Sequence, residues 1–225
     1  MGFLPMNLLR LGGDGCHLLS FLVMFWKLFS SQNVSGISLK TQELYALVFM
    51  CRYVDIFWNF FSIYNEIMKI IFLISSFAIV YIIRFASPHS DTYEKEDDYF
   101  PSQYVVIPSG MLAIAINKER SSPFEVIWAF SIYLEAVAIL PQLFMLQKQG
   151  GAESITSNYV ALLGLYRLFY IGNWVHRYFT EPDYFEPIVW VSGVVQSLIY
   201  LDFFYNYVTA KGKKGVFAPI ELDAA

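Results

Sequence analysis

Charge is what this chain has least of. Only 15% of its 225 residues are Asp, Glu, Lys or Arg, where a soluble domain carries about 25%. That excludes an ordinary water-facing surface and points to an integral membrane protein. Cysteine is nearly absent: Cys16 and Cys51 both fall inside apolar stretches, which suggests neither a disulfide framework nor a metal site. No glycine-rich phosphate loop, nucleophile elbow or His/Cys metal spacing is present. No catalysis, cofactor, metal or nucleic-acid partner is therefore expected. The opening segment lacks a small-residue cleavage site and carries Arg10, Asp14 and His17 within its apolar stretch, unlike a signal peptide. Met6 stands where a myristoylation signal has Ser or Thr.

What is there is apolar: 56% hydrophobic and 19% aromatic residues. Seven apolar segments can be drawn at about 8–29, 38–60, 64–84, 101–117, 123–146, 157–178 and 187–208, followed by a polar tail at 209–225. Most approach the ~20 residues that cross a bilayer as helix. The fourth is short and contains Pro108, Ser109 and Gly110. The expected fold is one all-α domain of seven transmembrane helices. The acidic loop from Arg84 to Ser102 reads as solvated.

Basic residues set the orientation. Seven spans put Lys27, Lys40, Arg84, Lys95, Lys148, Lys211, Lys213 and Lys214 on one side. Lys69, Lys118, Arg120 and Arg177 fall on the other. The positive-inside rule then predicts a cytosolic C-terminus and an N-terminus outside or in a lumen. The sequon Asn33-Val34-Ser35 falls on the cytosolic side and is expected to carry no glycan.

A spacing of 115 residues relates Gly36 to Gly151, Thr41 to Thr156, Ala46-Leu47 to Ala161-Leu162, and Arg52 to Arg167. It also carries Arg10 onto Glu125. This repeat suggests two parallel three-helix units, segments 1–3 and 5–7, joined by segment 4 as a linker.

The few charges form helical stripes. Arg10, Asp14 and His17 lie at i, i+4, i+7, and Arg52 and Asp55 at i, i+3. Glu125, Trp128 and Glu135 share a face; so do Tyr166, Tyr170, Asn173 and Arg177, with Arg167 beside it. Ionised groups in lipid cost several kcal/mol and normally face a bundle interior, where they mark a site. Arginines can fork onto carboxylates; Asp55 and Glu125 can receive a cation; Trp128 and Trp174 offer ring faces. Such a cavity suits a zwitterionic or multiply charged ligand, such as a peptide end, better than a neutral sugar. Internal pairing, Arg52 with Asp55 and Arg10 with Asp14 or Glu125, is the alternative. His17 has a side chain that titrates near neutrality, and Glu135 needs a donor such as Tyr166 or Arg167.

The run from Trp128 to Met145 closely resembles the fifth helix of KDEL receptors, the ER lumen protein-retaining receptors. So do Cys51-Arg-Tyr-Val-Asp55, Glu153-Ser-Ile-Thr-Ser157, Asn173-Trp-Val-His-Arg177, Leu201-Asp-Phe-Phe-Tyr205 and the Lys-Gly-Lys-Lys tail. The similarity extends, in order, over nearly the whole chain. It implies a seven-helix fold of the SWEET and PQ-loop type, with Pro141-Gln142 as the PQ pair. It also implies a receptor that binds C-terminal KDEL- or HDEL-type signals of ER luminal proteins in the acidic Golgi and returns them through COPI vesicles, releasing them at neutral pH. It places the protein in the ER, cis-Golgi and COPI vesicles, with the N-terminus luminal.

By that resemblance Arg52 and Tyr53 hold the terminal carboxylate, and Arg10 and Arg177 meet the acidic side chains. Glu125, Asp55 and Trp128 meet the leading Lys or His. Asn59, Arg167, Tyr170, Asn173 and Trp174 complete the pocket. His17 is the proton sensor and Glu135 with Tyr166 the lock; Asp202 and Lys211, Lys213 and Lys214 serve return transport. The chain departs from the family in its residues Met1 to Pro5, in a more acidic loop after Arg84, and in the residues that follow Lys214. A PQ-loop transporter of amino acids or small peptides is the rival reading.

Overall fold

The structure, a computed structural model, describes residues 7–57, 59–60, 62–119, 122–182, 184–214 and 220–221; in 210–214 and 220–221 it describes backbone only. The helices are α1 (Leu8–Ser31), α2 (Leu39–Arg52), α3 (Ile63–Phe85), α4 (Gln103–Ala115), α5 (Pro123–Val137), α6 (Leu140–Lys148), α7 (Ser154–Thr180) and α8 (Pro187–Lys214). Two-residue strands, Gly151–Ala152 and Ile220–Glu221, pair antiparallel. Four rods are long and apolar enough to cross a membrane: α1, α3, the combined α5–α6 and α8 as far as Thr209.

Local chemistry sets the helix ends. Asn7, Ser62 and Ser122 cap α1, α3 and α5, each accepting from the N–H three residues on, at Arg10, Asn65 and Glu125. Such a cap contributes about 1 kcal/mol. Pro123 and Pro187 occupy first-turn positions, where a missing N–H costs nothing.

Two expected helices are interrupted. The segment 38–60 stops as α-helix at Arg52 and continues as a 3-10 turn, Val54–Phe57. β-branched and aromatic residues crowd this stretch and hold a helix weakly, and Asp55 leaves the helix axis to meet Lys69 at 3.1 Å. The segment 123–146 breaks between Val137 and Leu140 because Pro141 cannot donate and its ring crowds the carbonyl four residues back.

Packing repeats a pattern. α3 contacts both α2 and α1; α8 contacts both α5 and α7. Across these groups α1 lies along α7 and α2 along α5, while α4 rests on α5. The core between them is aromatic and aliphatic, including Phe49, Phe72, Ile79, Leu134, Ile139, Tyr166 and Tyr200.

At one end the bundle is sealed. Buried Lys27 donates to Ser35 O (2.8 Å), Glu153 Oε2 (2.7 Å) and Thr156 Oγ1 (2.8 Å). Gln142 accepts from Ser38 N (2.9 Å) and donates to Gly36 O (2.8 Å). Gly36, at φ 73°, turns the chain so that its carbonyl can reach that amide. Asp98 accepts from Ser38 Oγ, Lys40 N and Tyr93 OH.

Candidate functional site

The opposite end holds a cavity of about 420 Å3. It gathers residues from the first turns of α1, α3 and α8, the second turn of α5 and the last turns of α2 and α7: Arg10, Asn65, Val189, Trp128, Arg52 and Arg177. The helices thus run alternately toward and away from it. His17, Tyr53, Glu135, Tyr166, Arg167, Tyr170, Asn173 and Trp174 also line it. Twelve of the residues singled out from the sequence therefore share one cavity.

Its floor is a charge cluster on Glu135, which is only 2% exposed. Glu135 accepts from Arg52 Nη1 (2.5 Å), Tyr166 OH (2.6 Å) and Arg167 Nη2 (2.8 Å). The two arginines related by the 115-residue spacing thus grip the same carboxylate. Arg52 is held further by the hydroxyl and carbonyl oxygens of Ser131. Removing one partner from a buried ion cluster costs about 3–5 kcal/mol, because the remaining charge is stranded. The alternative Arg52–Asp55 pairing does not form; Arg52 points inward and Asp55 joins Lys69 and, at 3.5 Å, Asn59.

His17 stacks on Tyr166, with ring centroids 4.3 Å apart and planes 8° from parallel. Phe21, Phe49 and Phe72 surround its other sides. It therefore touches, through one ring, the tyrosine that donates to Glu135. The wall is built by Asp14, which accepts from Tyr64 OH at 2.6 Å and from Tyr170 OH. Arg10 donates to Asn65 Oδ1 at 2.6 Å and lies 3.9 Å from Asp14. Asn7 donates to Asn173 Oδ1 at 2.7 Å. At the mouth Arg177 forks onto Glu181 (2.8 and 2.7 Å) and stacks over Tyr184 at 3.9 Å. These bonds hold the Glu181 carboxyl below its ordinary range. Arg167 lies over Tyr166 and Trp174.

Lining side chains thus comprise four arginines against one glutamate and one histidine. The cavity is cationic, and each arginine already has an oxygen acceptor that an incoming carboxylate could replace.

Three expected site residues do not line it. Asp55 and Asn59 lie beside Lys69, which also meets Glu66 at 3.2 Å. Glu125 sits one turn before Trp128, with a buried Oε1 that lacks a partner among the described residues. Lys118 stands over the Trp128 ring at 5.7 Å and pairs with Glu186. Asp202 is exposed and borders a separate cleft with Leu143, Gln147 and Phe203. α8 runs through Lys214, but the side chains of Lys211, Lys213 and Lys214 lie outside the described residues. Sequence reasoning missed Asn65 and Phe72. Both belong to a further stripe, Asn65, Lys69, Phe72 and Ser76 at i, i+4, i+7, i+11, on α3. Among the described residues no His, Cys, Asp and Glu cluster could hold a metal ion.

A multi-pass helical protein with a charged pocket at one end has the build of a membrane receptor or carrier. Comparison with known proteins decides between these classes. The sequence profile described as ER lumen protein retaining receptor matches residues 33–177. An ER lumen protein-retaining receptor of Caenorhabditis elegans, erd-2.2, is 49% identical over 217 residues, covering 96% of this chain and 100% of that protein. That of Petunia hybrida is 51% identical over 202 residues, covering 90% and 94%. Receptor 3 of Mus musculus is 48% identical over 211 residues, covering 93% and 97%. The chain belongs to the ER lumen protein-retaining receptor family, a family of receptors and not of enzymes.

Proposed function

We propose that this protein binds the C-terminal KDEL- or HDEL-type signal of escaped ER luminal proteins in the acidic Golgi, returns them through COPI vesicles and releases them at neutral pH. The observation that carries this reading is the ratio of four arginines to one glutamate in a pocket at one end of the bundle. A C-terminal signal brings a terminal carboxylate and two acidic side chains, which fit forked guanidinium donors. Arg52 with Tyr53 receives the terminal carboxylate; Arg10 and Arg177 receive the acidic side chains after exchanging Asn65 and Glu181. Asn173, Tyr170, Trp174 and Arg167 frame the peptide. Trp128, with Glu125 and Asp55 nearby, receives the leading Lys or His. Binding is an exchange of partners, so its free energy is the difference between two sets of charge-assisted bonds.

Protonation enters through His17. Adding a cation to a cavity with four arginines is unfavourable until an anion enters. Peptide binding therefore promotes proton uptake, and by reciprocity acid promotes peptide binding. The stack on Tyr166 couples that charge to the Glu135 lock, which in turn holds Arg52.

The packing of α3 on α1 and α2, and of α8 on α5 and α7, supports two parallel three-helix halves with α4 as linker, as in SWEET-like folds. The pocket then opens to the lumen, and the sealed end with the Lys211–Lys214 run faces the cytosol, where the lysines and Asp202 serve coat engagement and recycling.

Fluorescent KDEL and HDEL peptides titrated against the purified protein at about pH 6 and pH 7.4, on either side of the histidine range, test the reading. Saturable binding at the lower pH, weakened at least about tenfold at the higher or by Arg52→Ala, is expected, since one lost charge-assisted bond costs about 1.5–3 kcal/mol. No binding at either pH would refute it.

A further inference from the structure

A second cavity lies outside the charged one. α4 and α8 each pack on α5 and leave between them a groove of about 500 Å3. Its floor is made of buried Val105, Ala136 and Ile188; its rim includes exposed Tyr104 and Val191. No Lys, Arg, Asp or Glu lines it. Its volume falls within the ~300–1,000 Å3 of small-molecule sites.

Two polar groups interrupt this apolar surface. Ser109 and Ser192, 3% and 6% exposed, both line the groove. A helical serine in an apolar setting ordinarily turns its hydroxyl back to the carbonyl four residues before. Ser76 does so onto Phe72 and Ser197 onto Gly193. Ser109 and Ser192 do not, and neither hydroxyl has a partner among the described residues. Tyr133, also in the groove, already donates to the Ile116 carbonyl at 3.0 Å. A hydroxyl that meets only apolar surface forgoes a hydrogen bond worth about 0.5–1.5 kcal/mol, and two such hydroxyls line this groove. They also stand level. Ser109 is six residues before the end of α4 and Ser192 five residues after the start of α8, so each lies about 8–9 Å from the same end of the bundle.

The chemistry of an occupant follows. It is apolar over most of its length and carries a neutral group able to donate and accept near one end. A charged or zwitterionic headgroup finds no ion partner, and an acyl chain brings no polar atom to the serines. A rigid body also loses little freedom on binding. We propose that the α4–α5–α8 groove is a sterol site, with the sterol hydroxyl hydrogen-bonded to Ser109 and Ser192 and the ring system against Val105, Ala136 and Ile188.

The test is photolabelling of the purified full-length protein with a diazirine cholesterol analogue, followed by peptide mapping. Saturable labelling within α4 or α8 is expected, competed by unlabelled cholesterol and not by dioleoylglycerol or phosphatidylcholine. Ser109→Leu/Ser192→Leu together should lower it at least about fivefold, as loss of about one hydrogen bond would. Val191→Trp, at the exposed rim, should block it sterically. Unchanged melting temperatures check that both variants fold, and if the double variant does not, Val191→Trp decides alone. Non-saturable labelling, equal competition by dioleoylglycerol or phosphatidylcholine, or labelling unaffected in the folded variants would overturn the proposal.

Discussion

Single side chains decide the balance of the charged pocket. Glu135 pairs with the buried Arg167 and the half-buried Arg52, so Glu135→Gln should leave both cations without their carboxylate. A loss of about 3–5 kcal/mol, read as a lowered thermal midpoint, is expected. Glu181 offers a sharper test of what senses acid. Its carboxyl is held below the ordinary range by Arg177. A depressed carboxyl keeps its ion pair at neutral pH and loses it only as pH falls through that lowered value. The step from neutral to mildly acidic therefore leaves Arg177 paired. Glu181→Gln should tighten signal binding at both pH values by the same factor and leave their ratio unchanged. A ratio that collapses would make Glu181, and not His17, part of the switch. On the proposed reading the leading residue of the signal would meet a prior occupant, since Lys118 already stands over Trp128. Lys118→Ala should favour a signal beginning with Lys by about threefold over the wild type, in the range of an exposed cation–π contact of about 0.5–1 kcal/mol.

At the scale of elements, close helix contacts hold these side chains in register. α1 lies against α7 because Gly13 leaves room for Tyr170: a Cβ there would sit 2.7 Å from its ring. Tyr170 donates to Asp14, so Gly13→Ala displaces a wall of the pocket. Overpacking of this kind costs about 1–3 kcal/mol, and weaker peptide binding should accompany the lowered stability. The break after Val137 shows the opposite logic. Pro141 ends one helix, and Gln142 then turns into the gap to bind Ser38 and Gly36. Gln142→Ala should lower stability by about 1–3 kcal/mol, the cost of unsatisfied buried groups. Because it lies at the sealed end, pocket affinity at acidic pH should change little. Helix identity was legible from apolar length. The early stop of α2 at Arg52 was not, because it depends on Asp55 finding Lys69 on another helix.

At the scale of the whole molecule, direction matters more than any single contact. The charged pocket occupies one end and a hydrogen-bonded plug of Lys27, Gln142, Asp98 and Glu153 the other. Liposomes containing the protein should therefore bind labelled KDEL peptide without accumulating it. Time-dependent, protein-dependent uptake would favour the transporter reading instead.

Sequence alone determined the class of solvent and the family. These depend on composition, helix length and motifs that survive without knowledge of partners. It also placed ten of the twelve pocket residues on stripes, because charge in an apolar helix has few places to go. It determined who pairs with whom only in part: Glu135 does find Tyr166 and Arg167, but other partners were not legible. Arg52 was one turn from Asp55 in sequence, yet it reaches Glu135 eighty-three positions away. Asp14 was drawn beside Arg10, yet it binds two tyrosines from α3 and α7. A stripe gives a direction around one helix axis; a partner requires the distance and angle between two axes. Those are decided by packing, by the room Gly13 leaves and the break Pro141 makes. Only the tertiary structure could therefore turn a set of scattered charges into a cationic pocket with a lock.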